Sequence, residues 1–197
     1  MSEHRCDWCL STPLYQQYHD EEWGRPVTDD GKLFEFLILE GAQAGLSWIT
    51  VLNKRENYRR LLDNFDAEKI ARYTPKRIEK LLRDPGIIRN RLKVESAVKN
   101  ARAYLALRER GQPLSDFLWQ FTGGRVIVNQ PRTMAEIPAT TSQSDAMSKA
   151  LKKAGFSFVG STIMYAHMQA TGMVNDHLVT CPAHRLCVEE ARTKNLL

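Results

Sequence analysis

Three groups of side chains in this sequence have the types and spacing to do chemistry. The first is Cys6 with His19 near one end and His177 with Cys181 near the other. Two thiols and two imidazoles make a closed tetrahedral set for zinc, and the His-x3-Cys spacing lets the second pair face one point. Four protein ligands leave no position for a reacting water, so a zinc ion held this way is structural, one per chain, and clips the chain ends together. Spacing alone does not choose the ligands. Cys9 makes a Cys-x2-Cys pair with Cys6, His184 and Cys187 could substitute at the far end, and buried cysteines beside ordinary histidines stand as an equal alternative. The second group is the stretch Leu39 to Trp48, where a carboxylate (Glu40), two glycines and an amide (Gln43) interrupt an apolar pattern before an indole. Read by itself, it suits an ordinary helix-helix connection with a solvated Glu and a core Trp better than it suits a binding site. The third is Asp84-Pro85-Gly86-Ile87-Ile88-Arg89-Asn90-Arg91-Leu92-Lys93, a glycine turn placed directly before a helix N-terminus. Unpaired backbone N–H groups and the helix dipole there suit a phosphate, with Arg89, Arg91 and Lys93 in reach of its neighbours. A hairpin whose glycine serves geometry alone fits the same spacing.

The elements that must position these groups read as helices. Leu33, Phe34, Leu37 and Ile38 mark one face of a helix over 28–39, which puts Glu40 at its end beside Gly41. Ser47 is placed to cap a second helix carrying Ile49, Val51, Leu52, Leu61 and Leu62. Asp66 caps a short helix through Ile70, and Thr74 followed by Pro75 starts one over 75–83 with Ile78, Leu81 and Leu82 on its buried face. From Asn90 a longer helix runs to Gly111, so the third group is a helix, a tight hairpin and a helix. Shorter helices are expected over 114–121, from Ser144 to Gly155, and over 162–171 before Gly172. Between them, 123–141 reads as loop and holds the strand-like run Arg125 to Val128. The charged tail from Arg185 is expected to fray. The fold class is all-α.

Composition bounds the rest. With 197 residues and no internal repeat or long linker, the chain is expected to form a single domain over 1–197, its 1–27 and 172–184 segments brought together by the metal. Its aromatic-rich first 27 residues must pack on something. No apolar run approaches a membrane span and the start lacks a secretory segment, which points to the cytoplasm and away from membrane partners. Four cysteines in such a chain argue for reduced thiols or metal over a disulfide scaffold. A formal charge of +5, with basic clusters at 54–60, 72–83, 89–93 and 108–110, permits nucleic-acid binding. Nothing calls for an obligate protein partner, so a monomer is expected.

Five blocks taken in order, Cys6-Asp7-Trp8, Tyr15 to Gly24, Glu40 to Ile49, Gly86 to Arg89 and Asn175-Asp176-His177, closely resemble the bacterial 3-methyladenine DNA glycosylase I family of the helix-hairpin-helix superfamily. The likeness covers nearly the whole chain. It implies DNA base-excision repair on double-stranded alkylated DNA, with Cys6, His19, His177 and Cys181 as zinc ligands and the hairpin, Gly86, Ile87 and Ile88 included, holding DNA backbone without reading bases. It also gives the second group a task. Methylation at N3 makes adenine cationic and a good leaving group, so selection is the larger problem. Trp8, Tyr15, Tyr18 and Trp48 would offer aromatic faces to the cation, at about 0.5 to 2 kcal/mol each, while Glu40 accepts the exocyclic N–H and supplies counter-charge. Glu40 is thereby assigned to recognition. Gln43 and Leu46 are the candidates to fill the gap left by a flipped nucleotide.

The resemblance also bears on mechanism. No Asp lies between Gly86 and Ser115, where many superfamily relatives carry a catalytic one, and Asn90 stands where strand-cutting relatives have a lysine. A monofunctional hydrolase with no lyase step is expected, its water-activating group unassigned. Two other readings compete: a non-catalytic, zinc-containing helical DNA-binding protein, and an enzyme whose pocket takes a cationic metabolite.

Overall fold

The computed structural model describes residues 4–197. Its centre is the helix α2 (Asp30–Gln43), capped by Asp29, whose carboxylate accepts from Lys32 N–H at 2.8 Å. Leu33, Phe34, Phe36, Leu37, Ile38 and Leu39 are all buried. A helix apolar on nearly every side must be wrapped by others. Here α1 (Pro13–Glu21) precedes it, α3 (Trp48–Leu52) and α4 (Arg55–Leu61) follow, and α5 (Ala67–Ala71), α6 (Pro75–Arg83) and α7 (Arg91–Glu109) complete the first half. The second half is α8 (Leu114–Trp119), α9 (Ser142–Lys153), α10 (Ser161–Ala170) and α11 (Pro182–Thr193). The helix α7 backs α2, with Phe34 stacked on Tyr104 at 5.2 Å, and α10 packs on α2 and α9.

The helix-hairpin-helix is present with the expected caps. Thr74 caps α6 with Pro75 at its first position, and the Asn90 side chain accepts from Lys93 N–H to cap α7. Gly86 serves close approach: a Cβ there would stand 3.0 Å from Asn57 of α4, so the glycine lets the hairpin lie against that helix.

Four expectations from the sequence are corrected. The helix over 28–39 does not stop at Gly41 but runs through Gln43, so Glu40 sits inside α2 and is buried. Gly41 is there for packing, because a Cβ would approach Phe158 to 3.3 Å, and that contact outweighs the roughly 1 kcal/mol a mid-helix glycine costs. The second helix breaks at Asn53–Lys54 into α3 and α4, with Lys54 Nζ donating to Pro85 O of the hairpin at 2.6 Å. Within the 123–141 loop, Ile127–Val128 form a short strand, β1, parallel to β2 (Val174–Asn175). The tail from Arg185 does not fray. It continues α11, where Ala183, Cys187 and Ala191 recur every four residues and are buried, an apolar stripe the surrounding charges hide. Lys194 Nζ donates to Pro26 O, and Leu196 O accepts from Val126 N–H.

Candidate active site and metal centre

The joint from Leu39 to Trp48 borders a cavity of about 350 Å³. Trp8, Tyr15, Tyr18, Glu40, Gln43 and Trp48 line it, so all four aromatics singled out from the sequence surround the one carboxyl. Tyr15 and Tyr18 lie three residues apart on α1, which turns both inward. Tyr18 packs on Trp48 with ring centres 5.4 Å apart, and Trp8 meets Tyr15 edge-on at 4.9 Å. Glu40 is 3% exposed and makes no hydrogen bond among the described residues. Burial pushes its carboxyl up to about 8. A buried acid left unpaired in a protein interior is costly, and such groups concentrate where something is bound.

Other parts of the wall were not legible. Trp23 closes the floor beside Trp8, at 5.0 Å. Tyr165 and Gln169 of α10 form one side, and Met134, Ile137, Pro138 and Ala139 of the loop form another. Only the tertiary fold brings these segments to the joint. The spacing Tyr165, Gln169 was visible as one face of a helix, but nothing marked it as facing Glu40.

Cys6, His19, His177 and Cys181 come together, all buried, with one potential ligand atom from each within 4.8 Å of the others. His177 Nδ1 lies 3.1 Å from His19 Nε2 and 3.7 Å from Cys6 Sγ, while Cys181 Sγ lies 3.5 Å from His19 Nε2. The outer nitrogens are spoken for. His177 Nε2 donates to Trp23 O at 2.9 Å, and His19 Nδ1 donates to the Asp20 carboxylate at 2.8 Å. Those bonds leave the inner nitrogens as lone pairs facing each other across 3.1 Å, an arrangement that a cation between them satisfies. Hydrogen bonding from Cys6, with further contributions from the two imidazoles, lowers the Cys181 thiol toward thiolate. The four residues could therefore hold a metal ion.

The competing ligands are excluded by position: Cys9 Sγ donates to Cys6 O, His184 Nε2 bonds Asn129 O, and Cys187 packs near Trp23. Gly24 makes room for the cluster. It adopts φ +79°, and a Cβ there would stand 2.9 Å from His177 Nε2. Cluster and cavity share a wall, because Trp8 meets His19 edge-on at 5.3 Å and Trp23 meets His177 at 4.6 Å.

At the hairpin, the backbone N–H groups are paired unevenly. Gly86 N–H is taken by Asp84 and Ile88 N–H by the Tyr58 hydroxyl. Among the described residues nothing accepts from Ile87 or Arg89 N–H. Arg89 is exposed. Arg91 is exposed but engaged with Glu79 at 2.7 Å and Glu95 at 3.5 Å. Lys93 is a correction: its Nζ turns inward and donates to Ala42 O at 2.8 Å and Ala44 O at 2.6 Å. It satisfies the last carbonyls of α2 and pins the Gln43–Leu46 turn, which is the better use of a cation at a helix C-terminus than reaching for an outside phosphate. Lys93→Met is expected to destabilise the fold by about 1–3 kcal/mol in chemical denaturation. The salt slope of DNA binding should not change in that variant, and a shallower slope would return Lys93 to the phosphate contacts. On the turn itself, Gln43 Nε2 donates to Leu46 O at 2.8 Å, while the Leu46 side chain is 39% exposed.

A family model described as methyladenine glycosylase matches residues 8–184. The chain is 55% identical over 177 residues to DNA-3-methyladenine glycosylase 1 of Escherichia coli K12, covering 90% of this chain and 95% of that protein. A crystal structure of 3-methyladenine DNA glycosylase I superposes with a TM-score of 0.90 at 52% identity, over 91% of this chain and 98% of the other. A structure of the Staphylococcus aureus 3-methyladenine DNA glycosylase I, determined for its recognition of 3-methyladenine, superposes with a TM-score of 0.89 at 33% identity over 93% and 98% of the two chains.

Proposed function

This chain belongs to the methyladenine glycosylase family, and from that premise we propose that it is a DNA-3-methyladenine glycosylase of base-excision repair, a monofunctional hydrolase acting on double-stranded alkylated DNA. The observation that carries the proposal is Glu40: a buried carboxyl with no hydrogen-bond partner among the described residues, set among aromatic faces in a cavity open to a ligand. A cationic base satisfies every part of that site. Trp8, Tyr15, Tyr18 and Trp48 attract the positive ring, and Glu40 accepts its N–H and gives up its own proton to become the counter-charge. Neutral adenine offers the same amino N–H but brings no positive charge for the rings or the carboxylate to answer. Because the methylated base leaves readily, holding it out of the stack in this site is most of the catalysis, and water captures the sugar.

Around that centre, Leu46 is the side chain that fills the gap in the duplex, since it stands exposed while Gln43 is tied to the turn's own backbone. The hairpin from Gly86 to Arg89 holds backbone phosphate through the exposed Arg89, by its side chain and its N–H, which has no acceptor among the described residues, with Arg91 exchanging an ion pair for a phosphate. Zinc on Cys6, His19, His177 and Cys181 closes the single domain, residues 1–197, by joining its ends. The absence of a lyase step is supported by Asn90, whose side chain is committed to the cap of α7, and by Lys93, whose amine is committed to two carbonyls. The protein acts in the cytoplasm as a monomer, and no helix of the described residues is long and apolar enough to cross a membrane.

The test is direct. Methylated duplex DNA incubated with the protein should yield free 3-methyladenine by mass spectrometry and leave an intact abasic strand; no release of any alkylated base sinks the proposal, and a cut strand sinks its monofunctional part. Arg89→Ala is expected to weaken binding to every duplex alike, with a salt slope shallower by about one charge. A slope equal to that of the unmodified protein would remove Arg89 from the phosphate contacts.

A further inference from the structure

Beside the metal cluster, the Asp176 carboxylate is buried and accepts three hydrogen bonds. They come from the Tyr165 hydroxyl at 2.6 Å, Gln169 Nε2 at 2.8 Å and Asn129 Nδ2 at 2.7 Å. Tyr165 and Gln169 lie one turn apart on α10 and both line the cavity that contains Glu40. Asn129 follows β1, and Asp176 follows β2, so the two-residue parallel pairing sets the distance between them. The network therefore joins the cavity wall to the segment that carries His177.

Its consequence lies in the amide of Gln169. With Nε2 committed to Asp176, turning the amide over would set Oε1 against a carboxylate oxygen at hydrogen-bond distance, two acceptors with no proton between them. The orientation is therefore held. Oε1 then has no hydrogen-bond partner among the described residues and is not sealed from open space, so it remains an acceptor available on the cavity wall.

We propose that Gln169 Oε1 is a second acceptor for the base, selecting a six-position amino group over an oxo group, with Asp176 as the positioning residue that stops the amide from flipping. The inference rests on the reading of the cavity as the base site. The amino group of 3-methyladenine carries two N–H bonds, and Glu40 uses one. A base with an oxo group there turns lone pairs toward Oε1, and a site built to accept from an N–H rejects it because both groups are left unpaired. Tyr165, held by the same carboxylate, keeps the wall in register.

Calorimetric titration of the whole protein with free 3-methyladenine and with free 3-methylhypoxanthine, which differ in that amino group, decides the matter. The unmodified protein should prefer 3-methyladenine. Gln169→Leu should lose about tenfold in affinity for 3-methyladenine and little for 3-methylhypoxanthine, so the ratio falls about tenfold. Asp176→Asn should lower the ratio too, with Gln169 still in place, and if that variant does not fold, Gln169→Leu still gives the answer. Equal losses for both bases, or an unchanged ratio, overturn the assignment. Release from methylated duplex is measured alongside: a protein that frees 3-methyladenine yet keeps its ratio in Gln169→Leu loses only this inference, whereas one that binds neither base loses this and the glycosylase reading together.

Discussion

Glu40→Gln is expected to release 3-methyladenine on the order of 100-fold more slowly than the unmodified protein, while its affinity for undamaged duplex stays within about twofold. The magnitude follows from what the substitution removes. Glutamine keeps an acceptor but cannot ionise, so a cationic base buried beside it loses its counter-charge, a loss of about 2–4 kcal/mol for a charged contact out of water. Undamaged DNA brings no cation to the cavity and should not notice. Single-turnover release from methylated duplex and equilibrium binding to unmethylated duplex supply the two numbers, and equal losses in both would remove Glu40 from base recognition.

The same variant carries a stability signature of opposite sign. The Glu40 carboxyl titrates at about 8 in the folded protein against an ordinary 4.5, because burial disfavours its charged form. Below 4.5 it is neutral whether the chain is folded or not, and it costs nothing. Between 4.5 and about 8 the unfolded chain ionises while the folded one does not, so folding loses stability as pH rises through that window. Gln cannot ionise in either state. Glu40→Gln should therefore melt several degrees above the unmodified protein at pH 8 and at the same temperature near pH 4.5, a gain in stability that accompanies the loss of activity. A melting difference that does not vary with pH would contradict the buried, unpaired carboxyl.

Removing the metal should have the largest effect on the fold. One zinc per chain is expected by elemental analysis, and Cys181→Ala should lower the melting temperature by more than about 10 °C, the equivalent of several kcal/mol in a chain of this size. Residues 171 apart in sequence meet at Cys6 and His177, and a cation would answer the lone pairs gathered there. Release of 3-methyladenine should fall as well, since Trp8 and Trp23 lean on the two imidazoles and also line the cavity. No zinc after gentle purification, or a Cys181→Ala protein that melts with the unmodified one, would sink the metal site.

Legibility differed from residue to residue for physical reasons. Caps were readable because they are local: Asp66, Thr74 and Asn90 each bond a backbone N–H two or three residues on, and each begins the helix its position implied. Gly41 misled because a glycine after an apolar run is a helix stop only when nothing packs on it, and Phe158, far along the chain, packs on it. Lys93 misled in the same way. Its spacing from Gly86 placed it near a phosphate, and no local rule could show that two helix-end carbonyls would be closer. The tail failed for a third reason: its apolar stripe is built from alanine and cysteine, too small to stand out among charges, yet Ala191 is completely buried.

By itself the sequence pointed to the helical class and the hairpin between α6 and α7, while the family likeness drawn on it picked out the four side chains that could hold a metal and grouped Glu40 with Trp8, Tyr15, Tyr18 and Trp48. These depend on residue type, on short spacings, or on blocks that recur in order. Tertiary structure alone decided that Glu40 is buried without a hydrogen-bond partner among the described residues, that Lys93 bonds the end of α2, and that Gln169 on the cavity wall bonds Asp176. Each of those depends on which distant backbone and side-chain groups lie within hydrogen-bond reach, a property of how α2, α7 and α10 pack, which no local spacing encodes.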